Sequence, residues 1–597
     1  MVKIYSPKIL LAFFISLLFS TLLFTSCEKA DDGKFIYGSY PDLSTQVKSS
    51  LSGFVTDEND LPVNLATIQV GAVTFTTDKY GYFEATNVDV VKEAAVVTVS
   101  KTGYFKGIKT YMAEESKSSF FRIKLIPKAN AGTINAATGG KVTLVNSLSI
   151  TLPANAVVNA TTNAAYTGTV SVAAFWLNPT ATDLPGIMPG NLRGINNDGK
   201  MQLLTTYGMA AIELTGSGGE LLQIATGKKA TLSLPIPSSL SSAAPATIPL
   251  WYFDEAKGLW KEEGTATKTG SNYVGEVSHF SFWNCDLPEN FVQLSATIVN
   301  NSNQPIPYAV VKISVAGNPA NFRYGYTNFA GYVSGAVPIN AQLLFEVYSG
   351  LDCLTPLYSQ NVTTTPSATY LSLGTVIVTS GTNLATITGN VVNCANVPVT
   401  NGYVMVFKGN NYTRVNLSTT GSYSGTILVC SNTGSSATLV AEDLTTNMTS
   451  GPVISNIVPG SNTIPLIRVC TTIQEYVNFT KNGIAEAYHY LFLSQATNNP
   501  LSYGVFFYVD PARTIYRGYL QISQAGIIAG STQNLLGIAT GGAALPNMTI
   551  PNPVNVSITE YGAVGEYIAG NFSGNFLQLP SNTPYVITCS FRIKRTF

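Results

Sequence analysis

Charge is scarce in this chain. Lys and Arg number 33, Asp and Glu number 33, and charged residues make up 11% of the 597, against about 25% in ordinary soluble domains. With neither sign in excess, there is no basic surface for nucleic acid. Histidine is nearly absent. His279 and His489 are the two, and neither stands in a His-x-x-Glu or His-Glu-x-x-His setting, which excludes a zinc peptidase of those types. There is no Cys-x₂-Cys pair and no Gly-x-Ser-x-Gly elbow, so zinc fingers and serine hydrolases of the elbow type are excluded too. Gly194 to Lys200 spells Gly-x₄-Gly-Lys, but Met201 follows where a phosphate loop needs Ser or Thr. Asp57-Glu58-Asn59-Asp60 offers oxygens without EF-hand spacing and reads as a solvated turn. No catalytic set, metal site or cofactor is expected.

What is present favours strands. The uncharged remainder is rich in Thr, Ser, Asn, Gly, Tyr, Val and Ile, and hydrophobic residues reach 45%, enough for packed cores. The length calls for several domains.

The N-terminus suggests export. Lys3 and Lys8 precede an apolar run from Ile9 to Phe24 that is short for a membrane span. Leu23-Phe24-Thr25-Ser26-Cys27 resembles a bacterial lipobox, which implies cleavage after residue 26 and lipidation of Cys27. Glu28-Lys29-Ala30-Asp31-Asp32 resembles the acidic tag that sends Bacteroidota lipoproteins to the cell surface. The resemblance implies an outer-membrane protein held by acyl chains such as palmitate. Six cysteines remain, Cys285, Cys353, Cys394, Cys430, Cys470 and Cys589, an even number suited to disulfides in an exported protein. A bridge within the segment holding Cys394, Cys430 and Cys470 is the first expectation.

One pattern organises the middle of the chain. Leu51 to Pro62, Leu294 to Pro305 and Ile387 to Pro398 each place an apolar residue eleven positions before a proline, with a β-rich first half and an Asp/Asn-rich second half. That is strand, polar turn, then Pro leading into a second strand. A Gly turn follows each Pro by 19, 26 and 23 residues, at Gly81, Gly331 and Gly421. In the first copy Gly53, Val55, Asp57, Pro62, Ala66, Val70, Thr77, Asp78, Gly81, Phe83, Gly103 and Tyr104 resemble the carboxypeptidase regulatory-like domain. That family implies a transthyretin-like β-sandwich and no activity of its own. The later copies have Asn300 and Asn393 where the first has Asp57.

The expected fold is all-β, several tandem transthyretin- or Ig-like sandwiches behind a lipoprotein signal peptide. The expected parts are a signal peptide (1–26), a linker (27–48), a regulatory-like sandwich (49–127), a tryptophan-containing β-domain (130–288), a second (291–379) and third (384–470) regulatory-like sandwich, and a C-terminal β-domain (474–597) with a short helix near Ile484 to Leu493. The tryptophan-containing part, with Trp251-Tyr252-Phe253-Asp254 and Gly258-Leu259-Trp260, resembles together with the first sandwich an extracellular region of animal matrix proteins such as cartilage intermediate layer protein. The last part resembles C-terminal domains of Bacteroidota lipoproteins. Trp251 and Trp260 have two readings, core filling or an exposed platform for sugar rings or peptides. The sequence thus suggests a non-catalytic surface scaffold for adhesion built as a flexible or semi-rigid string, with a glycan-binding protein of a surface capture system as the alternative and a hydrolase with scattered carboxylates as a lesser one. Its partners would be the outer membrane and a glycan or protein ligand.

Overall fold

The computed structural model describes residues 40–594 apart from 351–352, 354, 367–369, 380–383, 409–410, 430–434, 447, 471–475, 482–483, 490–495, 500–501, 509–515, 524–525, 541–547, 564–566 and 579–581. The lipobox with Cys27, its acidic tag and Cys430 lie outside the described residues.

The chain is a series of β-sandwiches. The described helices are single turns at Leu184–Ile187 and Ser238–Leu240. The helix expected from Ile484 is instead a strand, Ile484–His489, paired antiparallel with Tyr476–Lys481; residues 490–493 are outside the described set.

Three sandwiches share one topology. In the first, Gln46–Thr56 is the centre of a three-stranded sheet, antiparallel to Tyr82–Val91 and parallel to Ser118–Lys124. A four-stranded sheet runs Val73–Thr76, Thr67–Val70, Ala95–Ser100, Gly107–Tyr111. The second repeats this with Tyr332–Pro338, Phe291–Asn300 and Tyr370–Val378 against Asn318–Tyr326, Val310–Val315, Gln342–Tyr348 and Tyr358–Thr363. The third does so around Leu384–Asn393 and Gly402–Lys408. Period-two alternation produces the cores. In Thr67–Val70, Ile68 and Val70 are buried and Thr67 and Gln69 exposed.

The repeated turns are identical in their bonding. Asp57 Oδ1 accepts the N–H groups of Asn59 and Leu61 at 2.8 and 2.9 Å. Asn300 Oδ1 does the same for Ser302 and Gln304 at 2.9 and 3.0 Å, and Asn393 Oδ1 for Ala395 and Val397 at 3.0 Å. The turn needs one acceptor oxygen, which Asp and Asn both supply. Pro62, Pro305 and Pro398 then bridge back to the first strand. At the second turn Gly81, Gly331 and Gly421 have φ of 68°, 73° and 74°. A Cβ at Gly331 would run into the carbonyl of Ile298, so glycine is required for space as well as conformation.

The tryptophan-containing domain is one 13-stranded sheet folded on itself. Its spine, Met201–Thr215, is buried on both faces. Ala210, Ile212 and Leu214 fill the domain's own core, while Leu203, Met209 and Ala211 face outward into a second core. The C-terminal domain is a ten-stranded sheet with its own core.

Cys394 and Cys470 are joined by a disulfide with Cα atoms 4.9 Å apart. Cys353 is also disulfide-bonded. Cys285 and Cys589 are free and buried, so their inclusion among the bridging cysteines is corrected. One points into the core of the tryptophan-containing domain and the other into that of the C-terminal domain, and burial pushes both thiols well above their ordinary range.

Candidate functional site at the domain junctions

The expectation of a string is also corrected. The first sandwich is a hub against which three other domains pack.

The tryptophans form the first junction. Trp251, Trp260 and Trp283 are fully buried. Trp251 and Trp260 share a core with Leu203, Met209 and Phe253 of their own domain and with Ala94, Phe105, Ile108 and Ile126 of the first sandwich. The platform reading of Trp251 and Trp260 therefore fails, because both rings are sealed between two domains. Trp251 Nε1 donates to the Asp286 carbonyl at 3.2 Å, whereas Trp260 Nε1 has no partner among the described residues. Polar contacts flank this core. Lys109 Nζ donates to the carbonyls of Pro185 and Met188 at 2.7 and 2.6 Å, Thr110 donates to the Gly258 carbonyl at 2.5 Å, and Lys128 pairs with Glu213 at 2.8 Å. The sequence did carry a signal for this. Met209-Ala210-Ala211-Ile212 is a continuous apolar run, the mark of a strand covered on both faces.

The second junction joins the first and second sandwiches. Phe120 packs on Tyr308 with ring centroids 4.3 Å apart. Asn328 serves two partners at once. Its Oδ1 closes the glycine turn by accepting Ala330 and Tyr332 N–H, and its Nδ2 donates to the Ser118 carbonyl at 2.7 Å. Tyr332 donates to Glu114.

The third junction brings the third sandwich back onto the first across more than three hundred residues. Phe54, Tyr80, Tyr82 and Phe120 share a buried cluster with Tyr403, Met405 and Tyr412. The Arg414 guanidinium lies 4.0 Å from the Tyr403 ring centre and 4.4 Å from that of Tyr82, contacts worth about 0.5–2 kcal/mol each. Lys79 pairs with the buried Glu442 at 2.8 Å, and Glu442 also accepts the Tyr80 hydroxyl at 2.7 Å. Burial pushes the Tyr308 and Tyr326 phenols up to about 12. Most of these aromatic residues sit beside another apolar residue, as in Phe54-Val55, Tyr82-Phe83, Phe120-Phe121 and Tyr403-Val404, so the sequence gives no sign of which face meets a neighbouring domain.

The other residues singled out have structural duties. His279 packs its ring between Tyr252, at 4.6 Å, and Trp283, at 5.1 Å, and burial lowers its pKa. His489 lies on a described strand. Gly194 lies on a strand against Trp251, where a Cβ would crowd the indole, and Asn196 to Lys200 is a turn closed by Asn196 Oδ1. This is no phosphate cradle. The carboxylate of Asp57 is engaged by its turn, Asp60 pairs with Lys124 at 3.0 Å, and Glu58 accepts the Tyr104 hydroxyl.

No family model matches the chain. It is similar to cartilage intermediate layer protein 2 of Homo sapiens, 27% identical over 150 residues, a stretch covering 22% of this chain and 12% of that protein. Among solved structures it is similar to the shaft pilin SpaA of Lactobacillus rhamnosus GG, with 12% identity over 30% of this chain and 98% of that one at a TM-score of 0.16. The TIE protein of Bacillus anthracis gives 10% identity, 64% and 69% coverage and a TM-score of 0.14. BcpA, the major pilin subunit of Bacillus cereus, gives 8%, 56% and 100% with a TM-score of 0.13. Scores this low carry no argument about function. Among the described residues no group of three or more His, Cys, Asp or Glu side chains is placed to hold a metal, and no helix is long and apolar enough to cross a membrane.

Proposed function

We propose that the chain is a non-catalytic scaffold displayed on the outer membrane of a bacterium, lipid-anchored through Cys27, which presents a rigid multidomain surface for adhesion. The observation that carries the reading is the hub. The first sandwich, which follows closely on the anchor segment, is locked to the tryptophan-containing domain and to both later sandwiches by sealed apolar and aromatic junctions. An arrangement that invests its large aromatic residues in holding domains together suits bearing and presenting a surface. The lipobox-like Leu23 to Cys27 and the acidic segment after it support anchoring and outward display.

The experiment is Cys27→Ala in the native host, with membrane fractionation and protease shaving of whole cells. Release of the variant into the soluble fraction, with parent protein cut on intact cells, is the expected result. A variant that stays membrane-bound and equally shaved would refute the anchor, and a parent protected from protease would refute surface display. Cell adhesion to host matrix or to partner cells should fall in the variant.

A further inference from the structure

Where the first sandwich, the Leu184–Ile187 segment and the second sandwich meet, the domains leave a cavity of about 200 Å³. Its wall contains three cationic side chains, Lys109, Arg122 and Arg323, and no Asp or Glu. Arg323 is matched nearby by Glu289 at 3.3 Å. The other two are not matched. Lys109 is 5% exposed, spends two of its three N–H groups on carbonyls, and makes no ion pair among the described residues. Arg122 donates to the Tyr412 carbonyl at 3.2 Å, its guanidinium lies over the rings of Phe54, Phe120 and Tyr326, and it makes no ion pair among the described residues. Two cations without a carboxylate partner among the described residues, in the wall of one partly open cavity, favour an anion that joins them. Burial pulls the Lys109 ammonium down to about 7, the direction expected of a cation waiting for a counter-charge.

The rest of the wall says what kind of anion. Aromatic residues Phe121, Phe322, Tyr324 and Tyr326 line it together with Ser119 and Gln293, whose polar side chains can hydrogen-bond. The volume lies below the roughly 300–1,000 Å³ that takes drug-sized molecules. We propose that this cavity binds a small ring-bearing organic carboxylate, its charge held by Lys109 and Arg122 and its body by the aromatic wall. The inference stands apart from the anchoring and adhesion reading, since a ligand here would be a capture function inside the scaffold.

Isothermal titration calorimetry of the purified full chain with 4-hydroxybenzoate, phenylacetate and glucuronate tests it, with phenol and inorganic phosphate as comparators. At least one carboxylate should bind with a stoichiometry of one. Phenol and phosphate should each bind at least tenfold more weakly. Lys109→Met and Arg122→Gln should each weaken the carboxylate at least tenfold. Ser334 also lines the cavity, and Ser334→Leu, which narrows it without removing a cation, should abolish binding. This variant decides the matter if the cation variants lose their thermal transition. The proposal is overturned if none of the three carboxylates binds, if phosphate or phenol binds as well as they do, or if Ser334→Leu binds unchanged.

Discussion

At the scale of single residues, the same side-chain type does different work in different copies. Asn328 occupies the place of Asp78, yet only the amide can close the turn and also donate to the Ser118 carbonyl. Asn328→Asp should keep the turn and set a carboxylate against that carbonyl. A loss of about 1–3 kcal/mol in urea unfolding is expected, with the reverse change, Asp78→Asn, closer to neutral. The two junction tryptophans differ in the same way. Trp251 Nε1 is bonded and Trp260 Nε1 is not, so Trp251→Phe should cost more than Trp260→Phe by about 1 kcal/mol. Trp260→Ala should cost about 3–5 kcal/mol. A third residue sets a pH dependence. Asp286 is fully buried, and burial raises its carboxyl well above the ordinary 3.8. The folded chain therefore keeps a proton that the unfolded chain releases, and this group's contribution is full below the ordinary value and falls as pH rises toward the folded pKa. The urea midpoint of Asp286→Asn should gain on the parent as pH rises above the ordinary carboxyl value of 3.8. A constant difference would show that Asp286 does not titrate in this way.

At the scale of the element, the sandwich was legible because its punctuation is chemical. A Pro eleven residues after an apolar start, an Asx acceptor between them and a left-handed glycine later specify two turns, and two turns fix the strands they join. Gly331→Ala should cost about 1–3 kcal/mol, read from thermal unfolding, because the turn demands positive φ and the Ile298 carbonyl fills the Cβ position. Asp57→Asn should be nearly silent, since Asn300 and Asn393 already perform that role. Less legible were strands covered on both faces. Trp251 and Phe253 lie on the opposite side of their strand from Ile248 and Leu250, past an irregularity between Pro249 and Trp251. Plain alternation along the strand puts them there, and because both faces are apolar the periodicity does not say which core each face meets. The segment from Ile484 deceived in another way. Its Ala and Glu content suggests helix, but pairing with Tyr476–Lys481 overrides local propensity.

At the scale of the whole molecule, the return of the third sandwich to the first makes the array closed. Glu442→Ala leaves Lys79 without this carboxylate in a mostly buried position and should weaken the junction by about 3–5 kcal/mol. Combined with Arg414→Ala, it should release the third sandwich, with each domain still folded. Small-angle X-ray scattering should then show a larger radius of gyration, and limited proteolysis new cuts in the third sandwich's face toward the first. An unchanged scattering profile would show that the aromatic cluster alone holds the closure. None of this was readable in advance, because partners more than three hundred positions apart leave no local pattern.

The parallel pairing of first and last strands bears on load. In each of the three sandwiches of shared topology the chain enters along one strand and leaves along its parallel neighbour, so a pull on the two ends shears a row of hydrogen bonds together instead of unzipping them one at a time. In the third sandwich Cys394 and Cys470 follow the entering and leaving strands and are covalently joined. Tension arriving at Cys470 passes through the sulfurs to Cys394, and the 76 residues of separation between them carry none of it. Under a pulling probe the oxidised sandwich should therefore keep its length, and reduction should add about 270 Å of chain when it yields.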